Sequence, residues 1–210
     1  MSGCRPLRPD EICEVAQSFG GRYQWRDRAL FLVGLYTGFR ITELLSMRWQ
    51  DCVRQGQVLD ALTIARRHMK QHQRGRTVAL HPEARAALAR WYADDQPASG
   101  TLHVFRSRKG QNRPLTRQTA WQILMEAYLS CGMSGRLGTH SLRKTFAMAV
   151  HEQLGRDLRR TQQALGHANI GSTIHYLPVA EVEIQQAILA IAYPLAAPPP
   201  GGAARPSPSS

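Results

Sequence analysis

Ala29-Leu30-Phe31-Leu32-Val33-Gly34-Leu35-Tyr36-Thr37-Gly38-Phe39-Arg40-Ile41-Thr42-Glu43-Leu44 is the most informative stretch of the chain. Residues 29 to 35 are apolar on nearly every side, which predicts a central helix buried all round. The uncharged run from Ala29 to Phe39 has 11 residues. That is too short to span a bilayer, so no transmembrane protein is expected. A glycine turn follows, and then Arg40 stands at the mouth of a new helix over Ile41–Trp49. A cation placed against so apolar a segment is costly to desolvate unless an anion meets it. The anion is either Glu43, three residues on, or a ligand.

Outward from this segment the pattern stays mainly helical. Pro9-Asp10-Glu11 opens a helix with proline and acids in its first turn, and Ile12, Val15, Ala16 and Phe19 continue it at helical spacing. Val58–Ala65 and Arg76–Leu80 are rich in β-branched residues and predict a β-hairpin with the basic tip Arg66–Gly75; His103-Val104-Phe105 is a candidate third strand. Further helices are expected from His81 to about Tyr92, over Thr116–Cys131 with Gly132 closing it, over Ser141–Leu154, over Leu158–Leu165 with Gly166 closing it, and over Ala180–Ala192. The expected fold class is mainly α with a small antiparallel β-sheet. Residues 1–8 read as a tail, 9–192 as one folded domain, and 193–210 as a disordered Pro/Gly/Ala/Ser-rich tail.

Of the 210 residues, 27 are Lys or Arg against 15 Asp or Glu, a formal charge of +12. Arg205 is the only charge after residue 191, so the excess belongs to the folded part. A basic globular domain points first to nucleic acid and second to an acidic membrane surface, although solubility alone also accounts for net charge. The first residues lack the apolar segment of a secretory signal, so a cytoplasmic protein is expected. Cys4, Cys13, Cys52 and Cys131 lack metal-clasp spacing and read as free thiols, with no disulfide and no metal.

Three more segments carry chemistry. In Thr139-His140-Ser141-Leu142-Arg143, His140 and Arg143 share a helix face at i and i+3, with Thr139 available as a cap. Arginine offers a planar fork matched to phosphate, and histidine exchanges a proton near neutral pH. Leu165-Gly166-His167 brings a histidine out of a helix end. Ser172-Thr173-Ile174-His175-Tyr176 holds a tyrosine nine residues after His167. A tyrosine can attack phosphorus where cations stabilise the phenolate and the pentavalent phosphate. Each segment alone has an ordinary structural explanation.

Taken in order, Thr-Gly-x-Arg-x-x-Glu-Leu, His-x-x-Arg, Leu-Gly-His and Tyr resemble the tyrosine recombinase (phage integrase) family over roughly residues 9 to 192. The resemblance implies the family's catalytic-domain fold and a site-specific DNA recombinase that integrates, excises or inverts a segment. Two other functions stand beside that one: type IB topoisomerase-like relaxation of DNA, and a DNA-binding protein that no longer recombines.

Carried over by position, Tyr176 matches the nucleophile that forms a 3′-phosphotyrosyl link. Arg40 and Arg143 match the phosphate-binding arginines, His140 the proton acceptor and His167 a further phosphate contact. The family also uses a hairpin lysine as the acid that protonates the departing 5′ oxygen. Only Lys70 stands in the tip here; with 3 lysines among 27 cations, chance puts one at a given basic position about one time in nine. Glu43 reads as a buried acid orienting Arg40. Arg106, Arg108, Lys109 and Arg113 form a basic loop, either solvated or on the DNA backbone.

The phosphodiester energy is kept in the covalent link, so no cofactor is expected. The implied partners are double-stranded DNA and three further copies of the chain, a homo-tetramer on paired DNA sites that is monomeric when free. Lys144 stands where relatives often carry histidine. Only about eight residues precede the matching stretch, whereas most relatives carry a separate DNA-clamping domain of roughly a hundred residues. A partner supplying the clamp, or a minimal recombinase similar to small fimbrial-type DNA invertases, accounts for this.

Overall fold

The computed structural model describes residues 3–64, 76–107 and 112–166, all within one compact unit spanning Met1–Leu177. Eight helices lie among the described residues. They are α1 (Pro9–Ser18), α2 (Gln24–Thr37), α3 (Ile41–Ser46), α4 (Trp49–Cys52), α5 (Pro82–Asp95), α6 (Arg117–Ser130), α7 (Thr139–Gln153) and α8 (Leu158–Leu165). Two antiparallel two-stranded sheets accompany them, β1 (Val53–Arg54) with β2 (Gln57–Val58) and β3 (Ala61–Ile64) with β4 (Arg76–Ala79). The mainly helical fold expected from the sequence is the fold observed. No helix among the described residues is long and apolar enough to cross a membrane.

The apolar stretch forms the centre. Ala29, Leu30, Phe31 and Val33 of α2 are wholly inaccessible to solvent, and α2 packs on α1, α3, α5 and α7. Burying each Leu or Phe contributes about 1.5–3 kcal/mol, so the all-round apolar sequence sets the place of α2. α5 turns Ala84, Ala87, Leu88 and Trp91 inward, the i, i+3, i+4, i+7 stripe of a half-buried helix. The contact that matters most for function is between α2 and α7. A Cβ on Gly34 would stand 2.8 Å from Leu142 Cδ1 and 3.2 Å from Leu44 Cδ1. Glycine there lets α7 lie close against α2, and the two helices carry the residues on either side of the site.

The hairpin appears in the predicted place, with Ala61 opposite Ala79 and Thr63 opposite Thr77. Three expectations need correction. The helix expected over Ile41–Trp49 stops at Ser46, because Met47 and Arg48 are extended. Their backbone is taken up by a distant segment: Val104 N–H donates to Met47 C=O at 2.9 Å and Trp49 N–H to Leu102 C=O at 3.0 Å. For the same reason His103-Val104-Phe105 does not extend the hairpin. His103 bridges Arg48, and Arg106 bridges Pro114. The strand expected from Val58 is also divided, since Val58 pairs with Val53 in the first sheet and β3 begins at Ala61. The expected segments Arg66–Gly75 and Ala180–Ala192 and the tail 193–210 lie outside the described residues.

Candidate active site

The site begins where α2 ends. Gly38 caps the helix in the left-handed conformation (φ 59°, ψ 22°), with its N–H donating to Gly34 C=O at 3.1 Å. Glycine is required there twice over. Its φ is unfavourable for any residue with a Cβ, and a Cβ would stand 2.2 Å from Phe146 Cδ1. The turn brings Arg40 to the N-cap of α3. Arg40 N–H donates to Glu43 Oε2 at 2.7 Å and Arg40 Nη1 to Glu43 Oε1 at 2.8 Å. The Glu43 side chain is 3% exposed and that of Arg40 35%. The carboxylate therefore grips Arg40 from behind and leaves part of the guanidinium accessible. The two readings of Arg40, ion pair and ligand contact, are compatible.

α7 supplies His140 and Arg143. Its first turn is closed by Ser141 Oγ, which accepts from Gly138 N–H at 3.2 Å; Thr139, expected as the cap, is the first helical residue instead. Arg143 is 2% exposed. Its Nη1 donates to Gly38 C=O, and its Nη2 donates to Leu165 C=O at 2.8 Å. One buried guanidinium thus joins the turn after α2, the helix α7 and the end of α8, reaching 105 residues back along the chain and 22 forward. Gly166 ends α8 at φ 62°, so the Leu-Gly pair before His167 serves to present that carbonyl. Charge-assisted bonds to fixed carbonyls offset the cost of burying the cation.

Arg40, His140 and Arg143 line one cavity of about 220 Å³, together with Phe39, Ile41, Thr42, Thr139 and Arg117. His140 keeps an exposed edge. Loss of hydration on its packed side, and then the charges of Arg143 and Arg40, hold its pKa below the ordinary 6.5. The imidazole is therefore neutral at neutral pH and able to accept a proton, while the arginines stay cationic. The cavity is suited to an anion that carries a proton-donating neighbour.

Three of the six residues singled out from the sequence are thus brought together. Lys70, His167 and Tyr176 lie outside the described residues. Arg117 was missed. It stands at the first position of α6, behind the N-cap Thr116, whose hydroxyl accepts from Thr119 N–H at 3.0 Å. A cation in the first turn opposes the helix dipole, and that mismatch was the available signal. Arg106, by contrast, is no surface contact. It pairs with Asp95 at 2.5 Å, and its C=O accepts from Arg26 Nη1 at 3.1 Å. Burial pushes the Asp95 carboxyl upward, against Trp49 and Arg106, which pull it down. Arg113 is exposed, and Arg108 and Lys109 lie outside the described residues.

Comparison with known proteins bears on this arrangement. Residues 7–183 match the phage integrase family. The chain is 33% identical over 183 residues to the type 1 fimbriae regulatory protein FimE of Escherichia coli K12, covering 84% of this chain and 86% of FimE. It is 31% identical over 176 residues to the tyrosine recombinase XerD of Pseudomonas putida KT2440, covering 81% of this chain and 55% of XerD. The chain therefore spans about half the length of that recombinase. Among solved structures it is similar to the XerA recombinase, with TM-score 0.71, 22% identity, and 91% and 66% of the two chains covered. It is also similar to the XerH site-specific recombinase bound to its difH substrate, with TM-score 0.70, 22% identity, and 90% and 55% covered. With the family match spanning nearly all of the described residues and two arginines and a histidine gathered at one cavity, the chain belongs to the phage integrase family, the tyrosine-type site-specific recombinases.

Proposed function

We propose that this chain recombines double-stranded DNA through a phosphotyrosyl intermediate formed by Tyr176. The observation that carries the assignment is the cavity that Arg40 and Arg143, each held from behind by fixed acceptors, line together with His140. Fixed donors cost no reorganisation as charge builds on a phosphate, which is where electrostatic catalysis gains most.

In this mechanism Tyr176 Oη attacks a backbone phosphorus. Its proton passes to His140 Nε2 or Nδ1, whichever faces it. Arg40, Arg143 and His167 donate to the nonbridging oxygens. The bond from phosphorus to the 5′ oxygen breaks, Lys70 protonates that oxygen, and the 3′ phosphate remains on the tyrosine. Attack by the 5′ hydroxyl of a partner strand reverses these steps and releases the enzyme. Arg117, at the edge of the same cavity, holds a neighbouring phosphate. The enzyme acts in the cytoplasm, where its DNA resides.

Exchange between two sites calls for four active sites. The working form is a homo-tetramer on paired DNA, assembled from free monomers. Ile184, Ile188 and Ile191 in Ala180–Ala192 fall at i, i+4 and i+7, a stripe that docks on the neighbouring subunit. The test uses nicked suicide substrates made from the DNA that flanks the gene. A covalent protein–DNA adduct mapped to Tyr176 is expected, and a two-site assay is expected to show exchanged strands. Adduct without exchange indicates relaxation alone, and neither product indicates binding without chemistry. Truncation after Leu177 is expected to leave single-site cleavage and abolish exchange; full exchange by the truncated chain refutes docking between subunits.

A further inference from the structure

Arg40 is gripped by Glu43 and Arg143 by two carbonyls. His140 projects from the first turn of α7, so the place of its imidazole depends on the backbone there. That backbone leaves the loop Met133–Gly138, and Arg5, from the other end of the chain, ties the loop down. Arg5 N–H donates to Arg136 C=O at 2.8 Å, and Arg5 Nε donates to Ser134 C=O at 2.8 Å. The side chain lies so close along the loop that a Cβ on Gly135 would meet Arg5 Nε at 3.0 Å.

The far side of the guanidinium is fixed as firmly. Nη1 donates to Pro6 C=O at 3.0 Å and to Glu11 Oε2 at 2.7 Å, and Nη2 donates to Glu11 Oε1 at 2.6 Å. Glu11 is 2% exposed, in the first turn of α1, and Arg5 holds its carboxyl below the ordinary range. Two residues on, Leu7 N–H donates at 2.8 Å to Thr145 Oγ1 of α7 itself. Cys4 and Trp121 close on Gly138, where an added Cβ would stand 3.4 Å from Sγ and 3.6 Å from Nε1.

We propose that Arg5 is a positioning residue for His140: it bolts the loop before α7 to α1 and so sets where the imidazole stands over the cavity. The inference rests on the reading of His140 as the proton acceptor. A planar fork is what the position needs, because one face must hold a carboxylate while Nε reaches a carbonyl. Lysine keeps the charge beside Glu11 and loses the reach to Ser134.

The variant is therefore Arg5→Lys in the full chain. Its Tm is expected to fall by no more than about 4 °C, with DNA affinity unchanged. Covalent capture is expected to slow by about tenfold, a fraction of what a general base supplies. Among the described residues, the charged groups beside His140 are Arg40 at the N-cap of α3, Arg117 from α6 and Arg143 from its own helix. Displaced from the cations, the imidazole should titrate at higher pH, so the acid limb of the rate profile moves upward. The same shift is expected in an NMR titration of the His140 ring, assigned by its loss in His140→Asn. An unmoved limb and an unmoved ring titration overturn the proposal, as does an equal loss of rate at every pH. If the wild-type chain captures no DNA, the functional reading fails, and the NMR titration still decides the hold of Arg5. Should Arg5→Lys not fold, Arg5→Gln with Glu11→Gln removes both charges of the pair together and is read in the same way.

Discussion

Replacing Gly38 by alanine tests whether the turn after α2 is built for Arg143. Two costs follow from the structure. At φ 59° and ψ 22° a non-glycine residue pays about 1–2 kcal/mol. The new Cβ would also stand 2.2, 2.8 and 3.0 Å from three atoms of the Phe146 ring. Overpacking of this kind costs about 1–3 kcal/mol. The total, roughly 2–5 kcal/mol, is a large part of the 5–15 kcal/mol typical of a domain. Relief requires the ring or the turn to move, and movement of the turn takes Gly38 C=O away from Arg143 Nη1. Displacements near 1 Å cost about 10²-fold in rate.

Denaturant unfolding and covalent capture on a suicide substrate measure the two effects. Phe146→Ala in the Gly38→Ala background should remove the steric part and leave the backbone part of about 1–2 kcal/mol, a coupling that a double-mutant cycle resolves. Loss of less than about 0.5 kcal/mol with full capture by Gly38→Ala would refute the reasoning.

Tyr176→Phe removes one hydroxyl and no cation, so covalent capture should vanish while DNA affinity stays within about twofold; substantial adduct from this variant points to another tyrosine, Tyr193 first. His140 accepts a proton only when neutral, and its pKa lies below 6.5. Capture should therefore be level through neutral pH and fall with an acid limb centred below 6.5, and a midpoint above that value contradicts the partly desolvated placement of the ring beside Arg143 and Arg40. DNA affinity should fall steeply with salt, and Arg117→Ala should reduce the slope of log K against log salt by about one phosphate contact; an unchanged slope removes Arg117 from the interface.

Much of this is legible in the sequence. Proline and acids at Pro9-Asp10-Glu11, the apolar run from Ala29, the glycines closing α6 and α8, and the i, i+3 pairing of His140 with Arg143 are local signals, and local signals survive in one dimension. The break at Met47 was not legible, because Met47 and Arg48 continue a helical pattern. Their backbone goes instead to residues 102–104, more than fifty positions away. Arg106 looked like one more cation in a basic loop until the fold gave it Asp95.

Composition, periodicity and caps determined that the chain is mainly helical and that α2 is its buried centre, while the residues expected to carry the chemistry followed from the order of four short motifs and the family they resemble. Side-chain type and short-range spacing suffice for the first two, since amphipathicity and capping act within a few turns. Tertiary structure alone decided how the site is held. Arg143 takes its acceptors 105 residues before it and 22 after it, and Arg5 braces a loop 129 residues away. Arg117 joins the cavity only because α6 packs beside α3 and α7. A hydrogen bond to a distant carbonyl leaves no periodic trace in the sequence, because any residue can supply the carbonyl and only the packing of helices chooses which one does.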